Sequence, residues 1–345
     1  MHSDVVNMYD GRPTFIGVVY KKTIGNYTVN ANGQAVICEL SNRIRKQLIY
    51  PTADPGSRHH RVDKVIDLEH TDPLTVGDEV RYILAEGGKG LIVELLPRKS
   101  KLTRRTAVAK PLHHGAHPFE QLIVTNVDQV VAVMSAAQPE PKWNLLDRYL
   151  TQAEAGGIAA LICITKLDLV KRTVGDLQQA LAEYEHIGYP SVLTSTVSGE
   201  GVEAFRSALT GKISVFIGKS GVGKTALLNT LQPGLGLRVR EVSQVTGKGR
   251  HTTTNMEMFP LEGGGAIVDT PGTREFGFLE ADDMAMLFPE MKPLVGTCKF
   301  GLDCQHDEEP GCAIRKAVME GEILPRRYQS YLVLKKEVRD VSRNL

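Results

Sequence analysis

The sequence predicts a multidomain α/β protein: a small β-barrel first, a mainly parallel sheet in the middle, and a helical, metal-binding end. Three observations carry this. The first hundred or so residues hold short β-rich runs bounded by Gly, Asn, Asp or Pro. Beyond Pro111, apolar strand-like runs alternate with helix-period stretches. Near the end, three of the five cysteines fall within 15 residues, beside a histidine. The corresponding boundaries are 1–108, 109–280 and 281–345.

The barrel runs are FIGVVY (15–20), NYTV (26–29), QAVICEL (34–40), DEVRYIL (78–84) and GLIVELL (90–96). Five short strands in so short a span fit a closed barrel. An OB-fold leads, because it has five strands and commonly binds nucleic acid; the strand pattern alone also suits an SH3-like barrel. Cys38 and Cys163 lie inside apolar runs and read as small core residues. Arg43, Arg45, Lys46, Arg58, His59, His60 and Arg61 are placed in barrel loops.

Composition narrows the class. The chain has 345 residues, 42% hydrophobic and 23% charged, which excludes wholesale disorder and collagen-like repeats. No apolar run approaches the ~18 residues of a membrane span. MHSDVVNMYD has acidic residues and no apolar core, so it does not read as a signal peptide. Few cysteines suit a reducing compartment, and a cytoplasmic location is expected. Net charge is +1, yet residues 1–110 carry 17 Lys and Arg against 12 Asp and Glu. Within 98–110, RKSKLTRRTAVAK, six residues are basic and none acidic. That block reads as a polyanion-binding patch or as a solvated linker.

The middle section alternates QVVAVMS (129–135), AALICIT (159–165), SVLTS (191–195), ISVFIG (213–218) and AIVD (266–269) with stretches such as LLDRYLTQAEA (145–155) and LQQALAEYEHI (177–187). GKSGVGKT, comprising Gly218, Lys219, Ser220, Gly221, Val222, Gly223, Lys224 and Thr225, follows the strand ISVFI and precedes the helical run opened by Ala226. Strand, glycine-rich turn and helix are the context a phosphate loop requires. Glycines let the backbone amides turn inward, and the helix N-terminus adds positive potential. Lys224 should reach the β- and γ-phosphates, and Thr225 should ligate Mg²⁺. DTPG, Asp269 to Gly272, ends a strand of its own. An acidic residue there can hold Mg²⁺ through water, and the Gly272 amide can bond a γ-phosphate.

Base identity needs other residues. TKLD (165–168) closes the strand AALICIT. The Asp168 carboxylate can accept from both the ring N–H and the exocyclic amine of guanine, a donor pair that adenine lacks. The Lys166 stem can pack over the base. In TST (194–196), Ser195 and Thr196 follow the next strand, where a backbone amide can meet the guanine carbonyl.

This set resembles the GTPase motifs NKxD, SA, GxxxxGK[ST], a switch Thr and DxxG, but in circularly permuted order: the base motifs precede the phosphate loop. With a barrel before it and a Cys/His cluster after it, the chain is similar almost throughout to the RsgA (YjeQ) family of small-ribosomal-subunit biogenesis GTPases. VDQVVAVMSAAQPE (127–140), NLLDRYL (144–150) and RHTTT (250–254) add to the match. The resemblance implies a first switch at about 243–254, with Thr253 closing on Mg²⁺ and His251 orienting the attacking water. It implies GTP and GDP as ligands, the small (30S) subunit and its 16S rRNA as partners, and rRNA-stimulated hydrolysis late in subunit maturation; a subunit-sized target makes a monomer reasonable. Two departures stand out. Thr165 replaces the Asn of the base motif, so one hydroxyl stands in for an amide. Thr273 follows Gly272 where Ras-like enzymes carry a water-orienting Gln, so unassisted hydrolysis should be slow. Two other readings are a nucleotide-gated rRNA-binding scaffold with incidental hydrolysis and a P-loop ATPase or kinase.

Cys298, Cys304, His306 and Cys312 have the spacing C-x5-C-x-H-x5-C. Three thiolates and an imidazole complete a closed tetrahedral Zn²⁺ site of structural type, and the family carries a similar one. The segment is expected to have little core without its metal. Residues 313–345 hold eight basic and four acidic residues, a candidate rRNA clamp or an exposed docked helix.

Overall fold

Strand-forming residues and turn glycines alternate along the first hundred residues, and in the computed structural model they close into a barrel. The structure describes residues 8–23, 25–31, 33–47, 74–85, 87–105, 120–170, 174–236, 257–269 and 283–343. The described residues within Met1–Val127, Glu241–Pro260 and Ile267–Gly272 form one compact unit; those within Asp128–Arg240, Leu261–Ala266 and Thr273–Leu345 form a second. Both expected domain boundaries, after 108 and after 280, lie outside the described residues.

In the first unit a two-residue strand, β1 (Met8–Tyr9), pairs with β2 (Arg12–Thr23). The chain continues through β3 (Asn26–Ala31), β4 (Gln34–Leu40), helix α1 (Asn42–Gln47), β5 (Glu79–Leu84) and β6 (Gly90–Leu95). The pairing order β2-β3-β4-β6-β5 returns to β2, so among the described residues the barrel closes on itself. Only β4 and β6 run parallel; the other neighbours are antiparallel. That is the five-stranded topology of an OB-fold. Val19, Val29, Cys38, Leu74, Val80 and Ile92 fill the interior, all fully buried. Arg43, Arg45 and Lys46 belong to α1 rather than to loops, because Ser41 accepts the Ile44 N–H in an N-terminal turn. Arg58, His59, His60 and Arg61 lie outside the described residues.

The basic block is not a linker over its first half. β7 (Lys101–Arg105) pairs antiparallel with β8 (Glu120–Thr125) as a two-stranded ribbon. Its base is pinned by the fully buried Asp78, which takes two Arg98 hydrogen bonds at 2.7 and 2.9 Å and the Thr125 hydroxyl at 2.7 Å. The Thr75 amide adds a fourth at 2.8 Å. A buried carboxylate tolerates desolvation only with such a complement of donors.

The second unit is built on four strands. β9 (Gln129–Ser135) is buried along its whole length, as a central parallel strand covered on both faces should be. Helix α2 (Trp143–Ala155) leads to β10 (Ala159–Thr165), α3 (Val174–His186) to β11 (Ser191–Leu193), and α4 (Val202–Leu209) to β12 (Ile213–Ile217). The order β11-β10-β9-β12 is parallel at every pair. Helix α5 (Lys224–Leu231) follows β12 directly and buries Leu227, Leu228 and Leu231. Next in sequence come β13 (Glu257–Pro260), which belongs to the first unit and pairs there with β2, Lys21 and Glu257 meeting at 2.7 Å, and β14 (Ala266–Asp269).

The chain ends in short 3-10 turns, then α6 (Ala313–Met319) and α7 (Pro325–Arg343). Here the expectation of a coreless segment fails. Phe288, Met291, Ile314 and Tyr331 are fully buried and pack with the three cysteines in one apolar cluster. Against α2 and α3, Arg327 of α7 is 1% exposed and bonds Asp147 at 2.6 Å and Glu290 at 2.7 Å. Tyr184 donates to the same Asp147 oxygen at 2.7 Å.

Candidate functional site

The parallel strands set the site. β9, β10, β11 and β12 all point the same way, so the loops leaving them gather at one edge of the sheet. In parallel α/β sheets that carboxyl edge is where ligands bind. The predicted motifs lie there: TKLD leaves β10, TST leaves β11 and GKSGVGKT leaves β12.

The phosphate loop has the required backbone. A Cβ on Gly218 would stand 2.4 Å from the Val133 carbonyl, so only glycine lets the loop turn off the strand. Gly223 takes φ 93° and caps α5, a left-handed conformation that favours glycine. The amides of Lys224, Thr225 and Ala226 therefore lie in the first turn of the helix, the positions that bind phosphate. Lys219, Ser220 and Gly221 are exposed, and Val222 is buried beneath them. The Lys224 ammonium curls back onto the loop, donating to the Gly218 carbonyl and, at 2.9 Å, to that of Lys219.

The base-motif residues grip this loop. Thr165 is buried, and its hydroxyl faces two carbonyls, Met134 at 3.1 Å and Val222 of the phosphate loop. A hydroxyl has one proton, so it satisfies one at a time where an amide donates to both. Lys166 adopts φ 59°, left-handed for a non-glycine residue, at a cost of about 1 kcal/mol. Its ammonium offsets that by bonding the Gly221 carbonyl at 2.6 Å and the Gln138 carbonyl. Asp168 is half-buried in the next turn and accepts the Ser195 hydroxyl at 2.6 Å. The Ser195 oxygen in turn accepts the Val197 and Ser198 amides at 3.2 and 3.1 Å. Ser195 thus fixes the carboxylate and shapes the TST turn, in which Thr196 is half-buried. The Gln138 carbonyl carried no sequence signal, because a main-chain oxygen has none.

Not every expected residue can be placed. Asp269 ends β14. Gly272, His251 and Thr253 lie outside the described residues.

The four metal-site residues converge. The ligand atoms of Cys298, Cys304, His306 and Cys312 lie within 4.8 Å of one another, all four residues buried. Cys298 Sγ and Cys312 Sγ are 3.9 Å apart, and His306 Nδ1 is 3.4 and 3.6 Å from them. A tetrahedral zinc-sized ion needs sulfur–sulfur separations of roughly 3.8 Å and sulfur–nitrogen separations of roughly 3.5 Å. The Ala313 and Arg315 amides donate to Cys298 Sγ and Cys312 Sγ at 3.2 and 3.5 Å, which favours thiolates. The donor set fits.

Burial pushes the Cys304 thiol up to about 12 and raises Cys312 as well. Both therefore hold protons at neutral pH when no ion is bound, and an ion must displace them. Acid favours the protonated thiols, so affinity falls with pH, by up to ~100-fold per pH unit for two protons. The expected result is Zn²⁺ release to a chromophoric chelator that steepens from pH 8 toward pH 5; a flat profile would contradict proton-coupled binding.

A phosphate loop clamped by a base motif on a parallel sheet, with the motifs in permuted order, defines a circularly permuted P-loop GTPase. A family model described as RsgA GTPase matches residues 95–279. The chain belongs to the RsgA GTPase family and is a GTP hydrolase. It is 36% identical to the "Small ribosomal subunit biogenesis GTPase RsgA" of Bacteroides fragilis, across 92% of this chain and 94% of that protein. The Gemmatimonas aurantiaca protein of that name is 42% identical over 82% of this chain and 88% of its own. Among solved structures, YjeQ from Thermotoga maritima is 29% identical with a TM-score of 0.68, covering 94% of this chain and 98% of that one. YloQ, described as a circularly permuted GTPase, is 28% identical at TM-score 0.68, covering 97% and 98%. No helix among the described residues is long and apolar enough to cross a membrane.

Proposed function

We propose that this GTPase acts on the small ribosomal subunit late in its maturation, binding as GTP complex and leaving after hydrolysis. The observation that carries the nucleotide part of this reading is the joint between base motif and phosphate loop: Thr165 and Lys166 both bond carbonyls of the loop that would cradle phosphate. The names of its relatives supply the subunit. In this reading residues 218–226 hold the phosphates, and Asp168, steadied by Ser195, reads guanine while Lys166 packs over it. The Thr196 amide meets the base carbonyl. Thr225, Thr253 and Asp269 would hold Mg²⁺, which neutralises charge between the β- and γ-phosphates when bound. His251 orients the attacking water. Zn²⁺ on the Cys₃His set staples the C-terminal segment.

The barrel, the basic block 98–110 and the basic helix α7 are the surfaces for 16S rRNA, and the protein works as a cytoplasmic monomer in three domains, 1–108, 109–280 and 281–345. The test is GTP hydrolysis by the purified protein, alone and with small subunits, with ATP and large subunits as controls. Stimulation by small subunits alone is expected, about 10²-fold or more for a site whose activator completes it. Equal rates with and without them would favour a scaffold with incidental turnover. His251→Ala should abolish the stimulated rate and retard release from subunits.

A further inference from the structure

Asp283 is the first described residue after the DTPG motif, and its two carboxylate oxygens do different things. Oδ1 accepts the Ala285 amide at 2.9 Å and starts the 3-10 turn Met284–Leu287. Oδ2 lies 3.2 Å from Nε2 of His306. The other nitrogen of that buried ring, Nδ1, faces the sulfurs of Cys298 and Cys312. A metal ion on Nδ1 leaves the ring proton on Nε2, where it donates to Asp283; a metal-free neutral ring can carry its proton on either nitrogen. The far end of the same segment is held separately, with Glu290 taking Arg327 at 2.7 and 3.1 Å.

We propose that Asp283 is the outer partner of the metal site, and that an ion bound there tethers, through His306, the 3-10 turn that opens at Asp283. The site is then an anchor point for that segment as well as a staple for its own loop. This rests on the zinc reading above. Carboxylates that hydrogen-bond a ligating histidine orient the ring and raise its basicity, and their loss typically costs 10–100-fold in affinity. Coupling of this kind is reciprocal, so removing the ion must loosen what Asp283 holds.

The test uses the full chain, zinc-loaded, as wild type, Asp283→Ala and Asp283→Asn. Alanine removes both bonds. Asparagine keeps one carbonyl oxygen, which serves the Ala285 amide or the His306 ring but not both. Asp283→Ala should lose zinc to a chromophoric chelator about 10–100-fold faster than wild type, with Asp283→Asn between them. Hydrogen exchange in a peptide spanning Met284–Phe288 should rise when wild type is stripped of zinc. In Asp283→Ala that rise should be absent, because the tether is already cut; a merely structural aspartate would leave it in place. Zinc loss at the wild-type rate in Asp283→Ala, or exchange in wild type that ignores the metal, overturns the proposal. A wild type that takes up no zinc overturns the metal reading itself and the tether with it.

Discussion

Arg327→Met is expected to destabilise the protein by about 3–5 kcal/mol, the usual cost of breaking a buried ion pair on one side. The methionine fills similar volume, so the loss is electrostatic. Asp147 and Glu290 would both be left buried without their cation, and Asp147 Oδ2 already has no hydrogen-bond partner among the described residues. Burial works against the charge on Arg327, yet Asp147 and Glu290 outweigh it and hold the guanidinium pKa above its ordinary value. For a unit of this size the loss corresponds to a fall of roughly 10 °C in Tm. Trp143, the single tryptophan, stacks on Tyr184 at 5.8 Å beside this cluster and reports the transition by fluorescence. Arg326→Ala is the contrast: its pair with Glu183 is about 30% exposed on each side and should be worth at most ~1 kcal/mol. Equal midpoints for Arg327→Met and wild type would show the cluster to be inert.

Asp168→Asn is expected to raise the Kd for GTP about 100-fold and to improve binding of xanthosine triphosphate. The carboxylate would accept two hydrogen bonds from guanine, each worth ~1.5–3 kcal/mol when the acceptor is charged. Asparagine offers one acceptor and one donor, which suits the 2-oxo group of xanthine. Ser195→Ala should weaken GTP binding only several-fold, since it removes the 2.6 Å support and leaves the charge. Titration with fluorescent GTP and xanthine analogues reads both variants. Unchanged GTP affinity in Asp168→Asn would take that residue out of the base site.

Local chemistry was legible in the sequence, and long-range pairing was not. The barrel strands stood out because turn residues fence each one. The phosphate loop and the Cys₃His set stood out because each is a short spacing with one chemical use; TKLD, weak as a bare string, gained its meaning beside the phosphate loop. The ribbon containing Lys101–Arg105 hid behind its charges: its partner strand comes after a gap of fourteen residues, and basic runs more often read as solvated. Arg327 meets Asp147 from 180 positions away, and Asp283 meets His306 across 23. Neither distance leaves a periodic trace. The C-terminal core was underestimated for the same reason: Phe288 and Tyr331 pack edge to face, with ring centres 5.8 Å apart, from elements that share no motif.

All five cysteines are buried and none is in a disulfide. Cys38 and Cys163 are wholly buried inside β4 and β10, so a reagent reaches them only when a sheet opens. The other three are the ligand set. A thiol-reactive dye added to the native protein therefore measures one event, the opening of the metal site. Counting labelled sulfurs against time turns the chain into its own gauge of metal occupancy, without any engineered probe.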